Sequence, residues 1–161
     1  MRLTKSLAGE RDFFEYASLA IDRALPGEAK STIEEGFATG VVSKTSRAVN
    51  ELLTLSTNKI ATDRASIATS EKQANAAGAT GKPAAGAGDA YLGYGEDAKA
   101  IAFYKMALQK GGVDMDQVNT RLGIALARSG QKDEARKYLS AVNGARADIA
   151  KYWMLYLDLQ P

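Results

Sequence analysis

Apolar and small residues in the second half of the chain recur every three or four positions, which is the spacing of one face of an α-helix. Between residues 96 and 108 this face consists of Ala100, Tyr104, Ala107 and Leu108. Gly95 stands just before this segment and predicts a turn, because glycine readily takes the positive φ that ends a helix. With residues 83–94 as the preceding helix, the pattern predicts a hairpin of two short antiparallel helices.

The same hairpin recurs further along the chain. Three pairs of small residues are each 35 positions apart: Gly88 and Gly123, Gly95 and Gly130, and Ala100 and Ala135. A repeat of this length, with small residues where two helices would cross, resembles the tetratricopeptide repeat. The resemblance implies an all-α protein of stacked antiparallel hairpins that form a right-handed superhelix.

The two copies match the family pattern to different degrees. Residues 83–112 fill the positions of the pattern without a gap: Gly88, Tyr91, Gly95, Ala100, Tyr104 and Ala107. Residues 114–143 match it less closely, with Leu122, Gly123, Leu126, Gly130, Ala135, Leu139 and Val142 in those places. The proline that often closes a repeat of this family is replaced by Gly111 and Gly112.

Residues 10–40 carry a degenerate form of the same pattern. The helical face of each predicted helix is made of apolar and small residues: Phe13, Tyr16, Ala17 and Ala20, followed by Ala29, Ile33, Gly36 and Phe37. Residues 25–27 form the predicted turn, since proline is tolerated in the first turn of a helix, and Gly40 ends the second helix. Degenerate N-terminal repeats and an alanine-rich composition resemble bacterial members of the family.

Residues 43–77 allow two interpretations. The repeat spacing favours a degenerate hairpin that breaks near Asn58, with Asp63 capping the second helix. The alternative is one long helix over the whole segment. Ile67 is the only large apolar residue between residues 63 and 77, so the second helix has little support of its own.

The segments around the last repeats complete the predicted single domain, residues 1–161. Residues 78–87 are rich in alanine and glycine and predict a flexible joint between repeats. Residues 146–160 predict a C-terminal capping helix, in which Trp153 takes the place of the tryptophan found in the first helix of a repeat. Its residues are apolar almost all round, so this helix is expected either to pack deeply or to meet a partner.

Charged residues are unevenly distributed, although the formal net charge is only +2. Seven acids and three bases lie between Glu10 and Glu35, whereas seven bases and three acids lie between Gln117 and Lys151. Such an asymmetry is suited to steering a partner or to head-to-tail contact. The small net charge argues against a nucleic-acid partner.

The chain has no run of about 20 apolar residues, so no membrane insertion is predicted. The first six residues lack the apolar segment that is typical of a signal peptide. A soluble protein is expected, and the sequence leaves open whether it is cytoplasmic or periplasmic.

The residue types argue against an enzyme. The chain contains no histidine and no cysteine, which excludes imidazole catalysis, thiol nucleophiles and thiolate metal sites. Asp114 and Asp116 resemble the start of a calcium loop, but the later ligands are missing, and Asp114 is better explained as a helix N-cap. The glycine pairs near residue 90 lack the following Lys-Ser or Lys-Thr of a phosphate loop. No catalytic residue, metal site or cofactor is predicted.

Members of the tetratricopeptide family line a concave groove with side chains from the first helix of each hairpin, and this groove usually takes an extended peptide or a helix. Carried over by position, the candidate binding residues are Asp89, Leu92, Gln117, Thr120, Ile124, Ala127, Arg128, Lys151, Met154 and Asp158. Members that clamp the terminal carboxylate of a chaperone tail use lysine and asparagine at positions that here hold Ala85, Asp89, Thr120 and Ile124. This difference argues against chaperone tails as partners.

The resemblance therefore implies a non-catalytic interaction scaffold that binds an unidentified peptide or protein segment in the groove. The alternative is a structural or assembly module. In that case the protein self-associates, or docks on the rest of its own chain, through the apolar C-terminal helix.

Overall fold

The computed structural model of the protein describes residues 5–160, and over this range it is all-helical, with no strand. Its helices are α1 (Glu10–Asp22), α2 (Pro26–Ala38), α3 (Arg47–Asn75), α4 (Lys82–Gly93), α5 (Asp97–Lys110), α6 (Met115–Arg128), α7 (Lys132–Ser140) and α8 (Ala147–Asp158), with a 3₁₀ turn at Gly144–Arg146. The predicted all-α fold is confirmed. Residues 1–4, part of the segment predicted to lack a signal peptide, lie outside the described residues, as does residue 161.

The chain packs as two compact units that divide within α3. The first unit ends at Ser66 and the second begins at Ile67. Each unit has its own hydrophobic core. Among the described residues, the chain that was predicted as a single domain therefore has two cores.

The first unit contains the hairpin of α1 and α2. Phe13, Ala17 and Ala20 of α1 are buried in one cluster with Ala29 and Ile33 of α2. These are the apolar positions whose spacing predicted two helices over residues 10–40, and both helices lie where the spacing placed them.

Residues 47–75 form a single helix, so the predicted hairpin with a break near Asn58 is wrong. Neither glycine nor proline occurs between residues 41 and 77, and the backbone therefore meets no residue that strongly favours the end of a helix. The Thr57 hydroxyl donates to the Leu53 carbonyl at 2.8 Å, so it is satisfied within the helix. Asp63 lies in the interior of α3 and caps no helix.

The second unit consists of the last part of α3, two hairpins and α8. α4 packs against α5, α6 packs against α7, and α5 also contacts α6. The core of this unit contains large side chains that are almost completely buried: Tyr104, Leu122, Leu126, Leu139 and Leu157. Gly95 and Gly130 take positive φ at the turns of the two hairpins, as their positions predicted.

The alanine- and glycine-rich segment at residues 78–87 lies within the second unit and has specific backbone contacts. Residues 82–87 of the predicted flexible joint are the first turns of α4. The Gly81 N–H donates to the Gly111 carbonyl at 2.8 Å, and a Cβ atom at Gly81 would lie 2.2 Å from the Ala107 carbonyl oxygen. The backbone before α4 is therefore held directly against the end of α5.

Glycine also sets the distance between the helices of each hairpin. A Cβ atom at Gly88 would lie 2.7 Å from the Tyr104 ring, and one at Gly123 would lie 2.5 Å from Leu139 Cγ. Both distances are shorter than van der Waals contact, so only glycine fits these crossings as they stand. The small residues that indicated a repeat thus lie where α4 meets α5 and where α6 meets α7.

We predict that Gly88→Ala lowers the free energy of unfolding by about 1–3 kcal/mol, because the added methyl group overpacks the contact with Tyr104. Gly86→Ala in the same helix is the matched control, since nothing lies within 4 Å of a Cβ atom there. It is expected to raise the stability by about 0.5–1 kcal/mol. Urea unfolding followed by the fluorescence of Trp153, the only tryptophan, measures both. Equal stabilisation by the two changes would contradict the close crossing.

Candidate functional site

The first helices of the successive hairpins lie side by side in the second unit. α4 contacts α6, and α6 contacts α8. All ten candidate binding residues are carried by these three helices. We call the surface that α4, α6 and α8 form with these residues the helix-A face.

Asp89 lies at the centre of a polar network on this face. Its carboxylate accepts a hydrogen bond from the Tyr104 hydroxyl at 2.7 Å and pairs with the Arg121 guanidinium. Tyr104 is completely buried in the core. The network therefore joins α4, α5 and α6. Asp89 has a structural role in linking these helices, whether or not it also contacts a ligand.

Burial raises the pKa of Asp89 above its ordinary value, and the neighbouring Arg121 guanidinium and Tyr104 hydroxyl partly oppose this effect. Burial likewise raises the pKa of the Tyr104 hydroxyl, with a further contribution from the Asp89 carboxylate. The Tyr104 hydroxyl therefore keeps its proton near neutral pH and donates it to the Asp89 carboxylate.

Three other charged candidates also have partners within the chain. Arg128 Nε lies 3.2 Å from Asp97 Oδ2. Lys151 pairs with Asp148 at 3.3 Å, and Asp158 pairs with Arg136 at 2.7 Å. Exposed pairs of this kind are weak, so Lys151 and Asp158 can exchange their partners at little cost, whereas the Asp97 carboxylate is partly buried and its pKa is raised by that burial.

The uncharged candidates differ in how much surface they offer. Thr120 and Ala127 are buried, and the Thr120 hydroxyl donates to the Asp116 carbonyl at 2.6 Å, so neither presents a recognition group on the surface. Leu92 and Met154 are half-buried and pack against the core. Ile124 is half-buried and is not among the side chains of the described residues that pack against this core.

The helix-A face is completed by Gln117 and by Arg146, and the sequence analysis did not single out Arg146. The Gln117 side-chain oxygen accepts a hydrogen bond of 3.4 Å from Arg146, which lies in the 3₁₀ turn before α8. Arg146 also contributes to the electrostatic environment of Asp89. Arg121 and Arg146 had been noted only as members of a basic segment. The contact between Arg121 and Asp89 depends on helix packing, because the two residues are 32 positions apart in the chain.

The interpretation of Asp114 as a helix N-cap is confirmed. Asp114 is the N-cap of α6, since its carboxylate accepts a hydrogen bond from the Gln117 N–H at 3.0 Å. Tyr91 and Tyr104 belong to the core, and Tyr91 stacks on Phe103 with ring centroids 5.7 Å apart.

The described residues contain no group of three His, Cys, Asp or Glu side chains that could hold a metal ion. Within the same part of the chain, none of the helices combines the length and the apolar character that crossing a membrane requires. The first unit has an open cavity of about 720 Å³ between the α1–α2 turn and the middle of α3. Its lining mixes Ile21, Leu55 and Pro26 with Asn58 and Lys59, and no pattern in the sequence indicated it.

Comparison of the chain with protein-family models, with curated proteins and with solved structures finds no match.

We predict that the contribution of Asp89 to the free energy of unfolding falls as the pH rises above the pKa of an unfolded aspartate, which is about 3.9. Because the pKa is raised in the folded state, the folded protein holds more protons than the unfolded one between the two pKa values, and its stability falls with rising pH there. Asp89→Asn lacks this dependence. The difference in unfolding free energy between wild type and Asp89→Asn should therefore decrease as the pH rises through this window.

Urea unfolding at a series of pH values measures the difference. Asp97 has the same direction of shift but is present in both proteins, so its contribution cancels. A difference that increases with pH would mean that the ion pair with Arg121 outweighs the burial of the carboxylate.

Proposed function

We propose that this protein is a non-catalytic scaffold that binds an extended segment of another protein along the helix-A face. The observation that carries the proposal is Ile124. It is a large apolar side chain at the middle of α6, partly exposed and outside the core, on the helix that contacts both α4 and α8. A partly exposed apolar group on a polar surface can serve as an anchor for a partner side chain.

Arg146 favours a peptide with an acidic residue, and its partner Gln117 lies two helical turns before Ile124 on the same face of α6. Arg146 is half-buried, and its hydrogen bond to Gln117 is long. A guanidinium in this position can donate two parallel hydrogen bonds to a carboxylate. These two groups support a ligand in which an apolar side chain packs on Ile124 and an acidic side chain pairs with Arg146.

The other charged candidates have a supporting role in this proposal. The Asp89–Arg121 pair joins α4 to α6, and Arg128 pairs with Asp97 at the start of α5. A surface that is fixed before binding loses less conformational entropy when the partner arrives. A chaperone tail is not the proposed ligand, because the positions that clamp its carboxylate hold no lysine here.

A second candidate function, assembly of copies through α8, is favoured by the apolar side chains that this helix exposes. It uses a different part of the surface, and the protein can combine both functions.

We predict that a phage library of random 12-residue peptides, selected on the wild-type protein, yields sequences that share an apolar residue near an aspartate or glutamate. Ile124→Glu should weaken binding of these peptides at least about tenfold, because a carboxylate replaces the apolar anchor. Arg146→Ala should weaken binding of the acidic peptides in particular. Fluorescence anisotropy with the selected peptides gives the dissociation constants.

Met115→Glu is the matched control for Ile124→Glu. Met115 is an exposed apolar residue at the start of the same helix, and it lies on roughly the opposite side of α6 from Gln117. Binding should survive this change. Failure to select any peptide family, or equal loss of binding in both glutamate variants, would contradict the proposed function.

A further inference from the structure

The outer surface of α8 carries a stripe of large apolar side chains. Tyr152 and Leu159 are each 73% exposed, and Leu155 between them is 54% exposed. Their spacing of three and four residues places them on one face. The opposite face carries Ala150 and Leu157, which are buried in the core. We call Tyr152, Leu155 and Leu159 the α8 stripe.

Over the part of the chain that the structure describes, no other element covers these three side chains. The exposed area of the three side chains is on the order of several hundred Å², which is the size of the largest apolar patch on a typical monomer, and such a patch is often functional. The surface that covers the stripe should be apolar and about two to three helical turns long.

Two charges beside the stripe indicate what that surface is. Lys151 and Asp158 are both exposed and are seven residues apart, so they lie two turns from each other on the same edge of α8. When two copies of one helix pack antiparallel about a two-fold axis, the same edge of each copy meets. Lys151 of each copy then faces Asp158 of the other, which is a complementary pairing of charges.

The apolar residues fit the same arrangement. In the register that brings these charges together, Leu155 of each copy lies close to the two-fold axis and meets Leu155 of the other copy. Tyr152 then lies between Leu155 and Leu159 of the second copy. Tyr156 is half-buried and packs edge-on against Trp153, with ring centroids 5.4 Å apart. This contact supports the middle of α8, where the two copies meet.

We propose that the protein forms a two-fold symmetric dimer in which the α8 helices of two copies pack antiparallel through the α8 stripe. One pair of three-turn helices buries less area than a standard protein interface, so the dimer is weak, with a micromolar dissociation constant. The inference does not rest on peptide binding, because Ile124 and Arg146 lie outside the stripe.

The existing partners of the two charges are compatible with the dimer. Lys151 pairs with Asp148 and Asp158 pairs with Arg136 within the chain. Because these pairs are solvent-exposed, they contribute little by themselves. In the dimer each charge gains a second partner of opposite sign from the other copy.

Analytical ultracentrifugation over concentrations from about 1 μM to about 1 mM tests the dimer. The wild type should pass from monomer to dimer within this range. Leu155→Glu should raise the dissociation constant at least about tenfold, since the symmetry places two buried carboxylates close together. Leu19→Glu is the matched control, because Leu19 on α1 is also 54% exposed, and this variant should dimerise like the wild type.

A charge exchange tests the antiparallel arrangement. Lys151→Asp and Asp158→Lys should each dimerise more weakly than the wild type, because like charges then face each other twice. An equimolar mixture of the two variants should form heterodimers more readily than either variant forms homodimers, since both pairs become attractive again. Circular dichroism confirms that each variant keeps its helix content.

Three results would overturn the proposal. A wild type that stays monomeric over the whole concentration range excludes the dimer. A Leu155→Glu variant that dimerises like the wild type excludes the α8 stripe as the interface. A mixture of the charge variants that associates no better than its components excludes the antiparallel arrangement. None of these results affects the peptide-binding proposal, which is tested on Ile124 and Arg146.

Discussion

Each hairpin of the second unit depends on a close crossing of two helices at a glycine. At the first crossing Gly88 lies against the Tyr104 ring, and at the second Gly123 lies against Leu139. Because the first helix contributes no side chain at these points, the second helix approaches its backbone directly. The crossing at Gly88 also fixes the position of the Tyr104 hydroxyl, which donates to Asp89 at 2.7 Å. The polar network of the helix-A face is therefore built on the same contact as the core.

This coupling explains how the charges of the face are used. Asp89 is held by Tyr104 and Arg121, and Arg128 is held by Asp97. Such charges keep the helices in register, so the proposed binding function depends on groups with fewer internal contacts. Ile124 is the clearest of these. The proposed binding surface is thus small and rigid, with an apolar centre.

Much of the fold could be predicted because, in the second unit, the spacing of small and apolar residues along the chain indicates where helices form and where they cross. Alanine and glycine at repeating positions, with Tyr104 and Leu139 at matching places, predicted where helices would meet, and both residues are fully buried. The prediction failed in residues 43–77, where apolar residues are sparse. There the repeat spacing was extrapolated through Asn58, although no residue in the segment favours a break. The absence of glycine and proline was the better guide to α3.

The candidate site was harder to predict than the fold. Position within a repeat identified the helices that carry the face, but it placed Thr120 and Ala127 on the surface, and the packed structure buries both. It also treated Arg121 and Arg146 as parts of a diffuse basic segment. The ion pairs Asp89–Arg121 and Asp97–Arg128 join residues of neighbouring hairpins, so they depend on how those hairpins dock.

By itself the sequence determined the helical class, the positions of the hairpins in residues 10–40 and 83–143, and the glycines at which helices cross or turn. These features depend on the conformational range of single residues and on a period of three to four positions. Only the tertiary structure decided that α3 is continuous and that the described residues form two separate hydrophobic cores. It alone also decided that Asp89 pairs with Arg121. It also decided which face of α8 remains exposed. Burial and pairing are properties of surfaces brought together from distant parts of the chain, and no local spacing specifies them.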